Sequence, residues 1–187
     1  MYLRIMWFLG IFFFTVTALL ITEMSTGVPS VASAATKCTA STVASWDQAQ
    51  TGRCRFTVLA DFGNAAVRDN NTGLVWEQAP DPTPPLGWSG ATKHCASKTV
   101  GGTVGWRLPS VIELKSVQDP SLPAPFVPAT VFTGIETAFF WSASSFAPDL
   151  TLAWAVSFLS IADVDRGAKV QSFRAWCVRG PMQESVY

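Results

Sequence analysis

The chain has 187 residues, and its 13 basic and 13 acidic residues give a formal net charge of zero at neutral pH. The basic residues are scattered, with no run of three, which argues against a nucleic-acid partner because phosphate binding needs a basic excess concentrated on one face. The length suits one domain with a substantial core rather than several domains.

The beginning of the chain has the three-part pattern of a secretory signal. Arg4 precedes an unbroken apolar run over residues 5–21, and a small-residue stretch follows, ending at residues 32–35. The pattern predicts cleavage near Ala34 and export to the periplasm, the cell surface or the medium. The alternative is an uncleaved leader that anchors the chain, since the apolar run is at the lower limit for a spanning helix. No other membrane contact is expected.

Four cysteines follow the predicted cleavage site: Cys38, Cys54, Cys95 and Cys177. An even number in an exported chain predicts two disulfides rather than free thiols. Three pairings are open, and we favour a short bridge from Cys38 to Cys54 with a long-range one from Cys95 to Cys177. A zinc site is disfavoured, because no two cysteines have the close spacing of zinc ligands and His94 is the single histidine.

Short strand-like runs dominate the exported part. Residues rich in β-branched and aromatic side chains occupy positions 56–59, 66–68, 74–77, 139–144, 153–158 and 175–179. Residues 61–64 and 69–73 supply turns, since Asp, Asn and Gly accept left-handed backbone angles. Residues 119–137 contain four prolines and no periodicity, which predicts a long ordered loop.

Two helices are indicated between these strands. The first opens at Gly87, and the helical spacing of Trp88, Ala91 and Cys95 points Cys95 inward. The second follows Pro109, where Ser110 and Glu113 have the spacing of a capping box. The sequence therefore predicts an α+β domain of short antiparallel strands with two helices.

Catalytic patterns are absent from the sequence. No serine lies in a Gly-x-Ser-x-Gly elbow, and any Ser-His-Asp arrangement would have to use His94. Cys95, beside His94, is expected to be oxidised and therefore not a thiolate nucleophile. We therefore expect neither an enzyme nor a resident cofactor.

The predicted binding surface lies on the connectors at residues 145–151 and 160–169, because functional contacts concentrate on loops held by a rigid scaffold. Mixed charge there suits hydrogen bonding to hydroxyl groups, and calcium is the cation considered, at Asp163 and Asp165. Trp46 and Trp88 are the tryptophans expected to contact a partner. The residues assigned to the surface are Asp149, Asp163, Asp165, Arg166 and Lys169.

Arg107 has a different predicted role. It lies between Trp106 and Leu108 where the chain enters the capped helix. We expect its guanidinium to be partly buried and bonded to backbone carbonyls or to an acid such as Glu113 or Asp119. Arg107 is therefore predicted to stabilise the fold and not to contact a ligand.

Several segments carry a family resemblance when they are read in order. They are a turn with Thr-Gly-Leu-Val-Trp within residues 67–77, Cys95, Gly-Trp-Arg-Leu-Pro-Ser at 105–110, Phe-Trp-Ser-Ala-Ser at 140–144, and Cys-Val-Arg at 177–179. In this combination the chain resembles the DUF1566 family, also called the Lcl C-terminal domain, over residues 56–180. Residues 1–34 are then the signal peptide, 35–55 a disulfide-bearing segment and 181–187 a tail.

The resemblance implies a C-type-lectin-like fold on a bacterial secreted or surface protein, and it implies the Cys95–Cys177 bridge. The better-understood members look like adhesins that bind sulfated glycans. Two departures are Trp176, where the family often has arginine, and the lack of a basic excess. Formylglycine-generating activity does not carry over, because Cys177 has no second cysteine near it.

The expected function is non-catalytic binding of a glycan or a protein at the cell envelope. The alternative is a structural or assembly component of the envelope, and an enzyme with an unrecognised site comes after that. Self-association is left open by the sequence.

Overall fold

The computed structural model describes residues 54–82, 84–160 and 163–181. The predicted signal segment, Cys38 and Trp46 lie outside these ranges. Within them, no helix has the length and apolar character needed to cross a bilayer. The expected architecture of short antiparallel strands with two α-helices and a disulfide is confirmed.

Four strands form the first sheet, in the order β1-β2-β3-β7, with antiparallel pairing throughout. One face carries Val67, Trp76 and Val178 in a single cross-strand row, and all three are fully buried. This face therefore lies against the core. The strands are β1 (Phe56–Val58), β2 (Ala66–Asp69), β3 (Val75–Glu77) and β7 (Val178–Arg179).

Three strands, β4 (Phe139–Ser145), β5 (Leu152–Ser157) and β6 (Val164–Ala168), form the second antiparallel sheet in chain order. The prediction that residues 160–169 form a connecting loop is wrong for half of that range, because β6 occupies residues 164–168. Its sequence, Val-Asp-Arg-Gly-Ala, has little strand propensity, and its conformation comes from pairing with β5. Gly167 is required by packing, since a Cβ there would lie 2.5 Å from the Phe173 ring and 2.7 Å from the Trp141 ring.

The outer edge of β6 has its own hydrogen bonds. Register with β5 turns the N–H groups of Arg166 and Ala168 away from the sheet. The side chain of Asp165 accepts from Arg166 N at 2.7 Å, and the side chain of Gln171 accepts from Ala168 N at 2.7 Å. Two outward-facing donors of this edge are thus already satisfied within the chain.

Both predicted helices are present. Helix α1 (Trp88–Ala96) buries Ala91 and Cys95, as its periodicity predicted. Helix α2 (Val111–Ser116) begins with the predicted capping box, in which the Ser110 side chain accepts from Glu113 N while the Glu113 carboxylate accepts from Ser110 N.

The Cys95–Cys177 disulfide is confirmed, with its Cα atoms 5.3 Å apart, and it ties α1 to the segment that leads into β7. Both cysteines are fully buried. The Glu77 carboxylate accepts a hydrogen bond from Cys177 N at 2.8 Å. Cys54 is also disulfide-bonded, and Cys38, its predicted partner, lies outside the described residues.

An aromatic cluster fills the core beneath the first sheet. The fully buried Trp176 ring lies 5.1 Å from Trp76, 5.2 Å from Phe132 and 5.7 Å from Phe158, centre to centre. Its indole N–H donates to the Glu77 carbonyl at 3.0 Å. Phe132 comes from the long loop, which follows the predicted irregular path and supplies a core side chain.

Arg107 makes the predicted contact. Its guanidinium binds both carboxylate oxygens of Glu113, at 2.7 and 2.6 Å, and donates to the Gly180 carbonyl at 2.7 Å. Burial opposes ionisation of Glu113, but the hydrogen bonds from Arg107 and Ser110 outweigh it and hold the pKa below its ordinary value. The ionised carboxylate thus joins α2 to the end of the domain.

This network predicts a measurable acid sensitivity. A carboxyl group whose pKa is lowered by folding contributes stability above its unfolded-state pKa, and that stability is lost as the pH falls through the folded-state value. The free energy of unfolding of Glu113→Gln should therefore approach that of the wild type as the pH falls from about 5 to 3. Urea unfolding at half-unit pH intervals tests this. Arg107→Gln keeps the carboxylate but removes its partner, so it should reduce the dependence of the unfolding free energy on pH over the same range. A difference in unfolding free energy between Glu113→Gln and the wild type that stays constant with pH would contradict the assignment.

Candidate functional site

Strand alternation distributes the predicted site residues over two faces of the second sheet. Arg166 pairs directly with Trp154 of β5 and shares its face, whereas Asp165 has the opposite orientation. Lys169 follows β6 and contacts Trp88 at the beginning of α1. The predicted residues therefore do not form one cluster.

Asp149 is held within its own turn. Its carboxylate accepts from the Thr151 hydroxyl at 2.6 Å and from Thr151 N at 2.9 Å. These hydrogen bonds lower the pKa of Asp149. The side chain is exposed and its observed contacts stabilise the turn between β4 and β5.

Asp163 and Asp165 are exposed and have separate local partners. Asp165 accepts from Arg166 N, as described above. Asp163 lies near Lys115, where burial lowers the pKa of the lysine and the charge of Asp163 partly opposes that effect. No three His, Cys, Asp or Glu side chains come close enough to hold a metal ion in the described ranges. The calcium site considered for these two aspartates thus has no third acidic ligand there.

Lys169 and Trp88 brace the beginning of α1. The Lys169 ammonium lies 4.1 Å from the centre of the Trp88 ring and donates to the Ser145 hydroxyl at 2.8 Å. Trp88 N donates to the Lys169 carbonyl at 3.0 Å, and its indole N–H donates to the Ser142 carbonyl at 2.8 Å. One face of the Trp88 ring and its indole N–H therefore already contact other groups of the same domain.

Arg166 lies on a partly exposed aromatic pair. Its guanidinium carbon is 4.8 Å from the centre of the Phe146 ring, and Phe146 meets Trp154 edge to face at 5.3 Å. Arg166 is exposed, and both rings are half-buried. A cation over a ring is restricted in position while its N–H donors face solvent, which suits recognition of a ligand.

An apolar groove continues along the same face. Val164 lies two residues before Arg166 on β6, so both side chains project to one side of the sheet. The groove has a volume of about 370 Å³ and is lined by Val111, Ile112, Lys115, Ser116 and Val164. We call the combined surface of the groove and the aromatic pair the β6 face, defined by Ile112, Lys115, Phe146, Trp154, Val164 and Arg166.

The β6 face combines ring surfaces, an open apolar groove and two cationic side chains. Ile112 is 70% exposed and adds accessible apolar surface beside the groove. Of these residues the sequence singled out Arg166 alone. The alternation of Trp154 with Ala153 and Ala155 was the available signal, since a large ring between two small buried residues points to the opposite face.

A second cluster is the strongest catalytic candidate by composition. Lys98 Nζ lies 2.8 Å from Glu77, 3.3 Å from Asp81 and 3.3 Å from His94 Nε2, beside a cavity of about 350 Å³. These three contacts match the three donors of an ammonium group. Glu77 also accepts a hydrogen bond from Cys177 N, so the cluster lies directly beside the disulfide.

One family model matches most of the part of the chain that the structure describes. The family model described as the Lcl C-terminal domain matches residues 65–179, from the beginning of β2 to the end of β7. No curated protein matches the chain. The matched segment includes both sheets except β1, both helices and the Cys95–Cys177 bridge.

Proposed function

Since the chain belongs to the Lcl C-terminal domain family, we propose that it is an exported, non-catalytic domain that binds a glycan, or a protein, at the bacterial cell envelope. The observation that carries this proposal is the arrangement of Arg166 over Phe146 and Trp154 beside an exposed apolar groove. A family match alone assigns no role to particular residues, so the argument depends on the site itself.

The β6 face fits a glycan for two reasons. Aromatic rings offer apolar surface to the C–H faces of a sugar ring, and the Arg166 donors above Phe146 can bond to hydroxyl or carboxyl oxygens. Lys115 and Ser116 supply further polar groups at the rim of the groove. Sites of this composition, mainly apolar with a few oriented polar groups, are typical of small-molecule recognition.

A C-type-lectin-like fold is part of the same proposal. Two small antiparallel sheets, two helices and a disulfide that joins the first helix to the segment leading into the last strand are consistent with that architecture. In such a scaffold the disulfide and the core keep the binding side chains in place, so that little conformational entropy is lost on binding.

The test is an array of neutral and acidic oligosaccharides, followed by calorimetry of the strongest hit with the purified full chain. Trp154→Ala and Arg166→Ala should each weaken that binding about tenfold or more, since each removes a central contact. Lys93→Ala, an exposed substitution on α1, is the matched control and should bind as the wild type does. Full binding by both site variants would remove the β6 face from consideration.

Replacing two aspartates distinguishes ligand binding at the β6 face from ligand binding at the loops predicted from the sequence. The double variant Asp163→Asn and Asp165→Asn leaves Phe146, Trp154 and Arg166 in place. It should retain binding if the β6 face recognises the ligand. Loss of binding in this variant alone would instead favour the mixed-charge loops.

Envelope assembly is the second candidate, favoured by the exposure of Ile112 at 70% and Leu159 at 65%. In that case the apolar groove would bury itself against another copy or another envelope protein. Light scattering after size-exclusion chromatography separates the two functions. A stable oligomer that Ile112→Asp converts to monomer, together with an array without hits, would favour assembly over glycan binding.

A further inference from the structure

A row of side chains crosses the first sheet on the face opposite its aromatic core. Register places Thr57 of β1 beside Arg68 of β2, Arg68 beside Val75 of β3, and Val75 beside Arg179 of β7. Directly paired residues project to the same side of a sheet. Two arginines therefore flank one half-buried valine on the same side of the sheet, and we call this set the arginine row.

These two arginines differ from the others in the described part of the chain. Arg55, Arg107 and Arg174 pair with carboxylates, and Arg166 lies over a ring. The side chains of Arg68 and Arg179 make no hydrogen bond, ion pair or ring contact within that part. Arg179 is half-buried as a residue, and its five guanidinium donors have no protein acceptor among the described residues.

The segment next to Arg179 is exposed. Gly105 lies against Arg179, where a Cβ would be 3.6 Å from its Nε atom, and its φ of 88° favours glycine. The neighbouring Val104 is 64% exposed. Adjacent strands are about 4.8 Å apart, so the Cα atoms of the two arginines lie about 10 Å apart, with Val75 between them.

We propose that the arginine row binds an acidic segment of a partner protein, with one carboxylate at Arg68 and another at Arg179. Arginine matches carboxylates through two parallel hydrogen bonds, and arginine with exposed apolar side chains is typical of protein interfaces. A dense polyanion fits less well, because its affinity depends on many cations and this chain has no net charge.

The probe is the acetylated and amidated peptide Thr-Glu-Val-Glu-Thr, whose glutamates lie on one side of an extended chain about 7 Å apart. Titration into the isotopically labelled full chain, followed by NMR, should give saturable shifts at Arg68, Val75, Gly105 and Arg179. Arg68→Gln and Arg179→Gln should each weaken binding about fivefold to tenfold. Arg179→Lys, which keeps the charge but loses the paired donors, should have an intermediate effect.

Controls make each outcome decisive. The peptide with both glutamates changed to glutamine should not bind, and Lys93→Gln, an exposed substitution on α1, should leave the titration unchanged. Equal shifts with the glutamine peptide, or no saturable shifts with the acidic one, would overturn the proposal. So would tighter binding of dextran sulfate at the same four residues. The row lies on the first sheet, so this result is independent of glycan binding at the β6 face.

Discussion

Replacing Cys95 and Cys177 together with alanine is expected to lower the free energy of unfolding by about 4 to 5 kcal/mol. The bridge closes a loop with a sequence separation of 82 residues, and chain-entropy reasoning assigns a value of this size to a loop of that length. Denaturant unfolding followed by circular dichroism measures the loss. The effect is large compared with the stability of an ordinary domain, so the variant is expected to be marginally folded at 37 °C.

The single variants Cys95→Ala and Cys177→Ala are the controls. Each breaks the same crosslink, so each should cost nearly as much as the double replacement if the crosslink dominates. If packing around each buried sulfur dominates instead, the two losses should add. Additive losses, or a double variant that loses less than about 1 kcal/mol, would contradict the assignment of stability to the bridge.

Trp176→Ala is the second substitution with a large expected effect, about 3 to 5 kcal/mol. The ring is fully buried among Trp76, Phe132 and Phe158, and its N–H donates a hydrogen bond to the Glu77 carbonyl. Truncation removes the ring contacts, leaves a cavity and frees a buried acceptor. Thermal and urea unfolding both report this loss.

Trp154→Ala is the matched control, since it removes the same side chain from the half-buried β6 face. Solvent and neighbouring side chains can fill part of the space there, so the expected cost is below about 2 kcal/mol. A comparable loss in both variants would show that Trp154 belongs to the core. The same comparison indicates whether a binding defect of Trp154→Ala reflects lost contacts or lost structure.

Features with a local cause could be predicted from the sequence. The capping box at Ser110 and Glu113 and the inward position of Cys95 follow from spacing within one helix, and both are present. The Arg107 contact with Glu113 also has a short sequence separation. Such features depend on a few neighbouring residues, whatever the rest of the chain does.

Features that depend on pairing between distant residues could not be predicted in this way. Residues 164–168 have a composition typical of a loop, and β5 imposes the strand. Once β6 forms, its successive side chains project to opposite faces of the sheet. Arg166 and Asp165 are adjacent in sequence but therefore lie on different faces. The arginine row likewise joins positions 68, 75 and 179, which only the sheet brings together.

The edge of β6 has a consequence for the behaviour of the protein at high concentration. A free strand edge can template the backbone of another chain, which leads to edge-to-edge aggregation. Here Asp165 and Gln171 already occupy two outward N–H groups, and the charges of Asp165 and Arg166 accompany them. Strand addition by a peptide is discouraged at the same place, so recognition next to this edge has to rely on side chains.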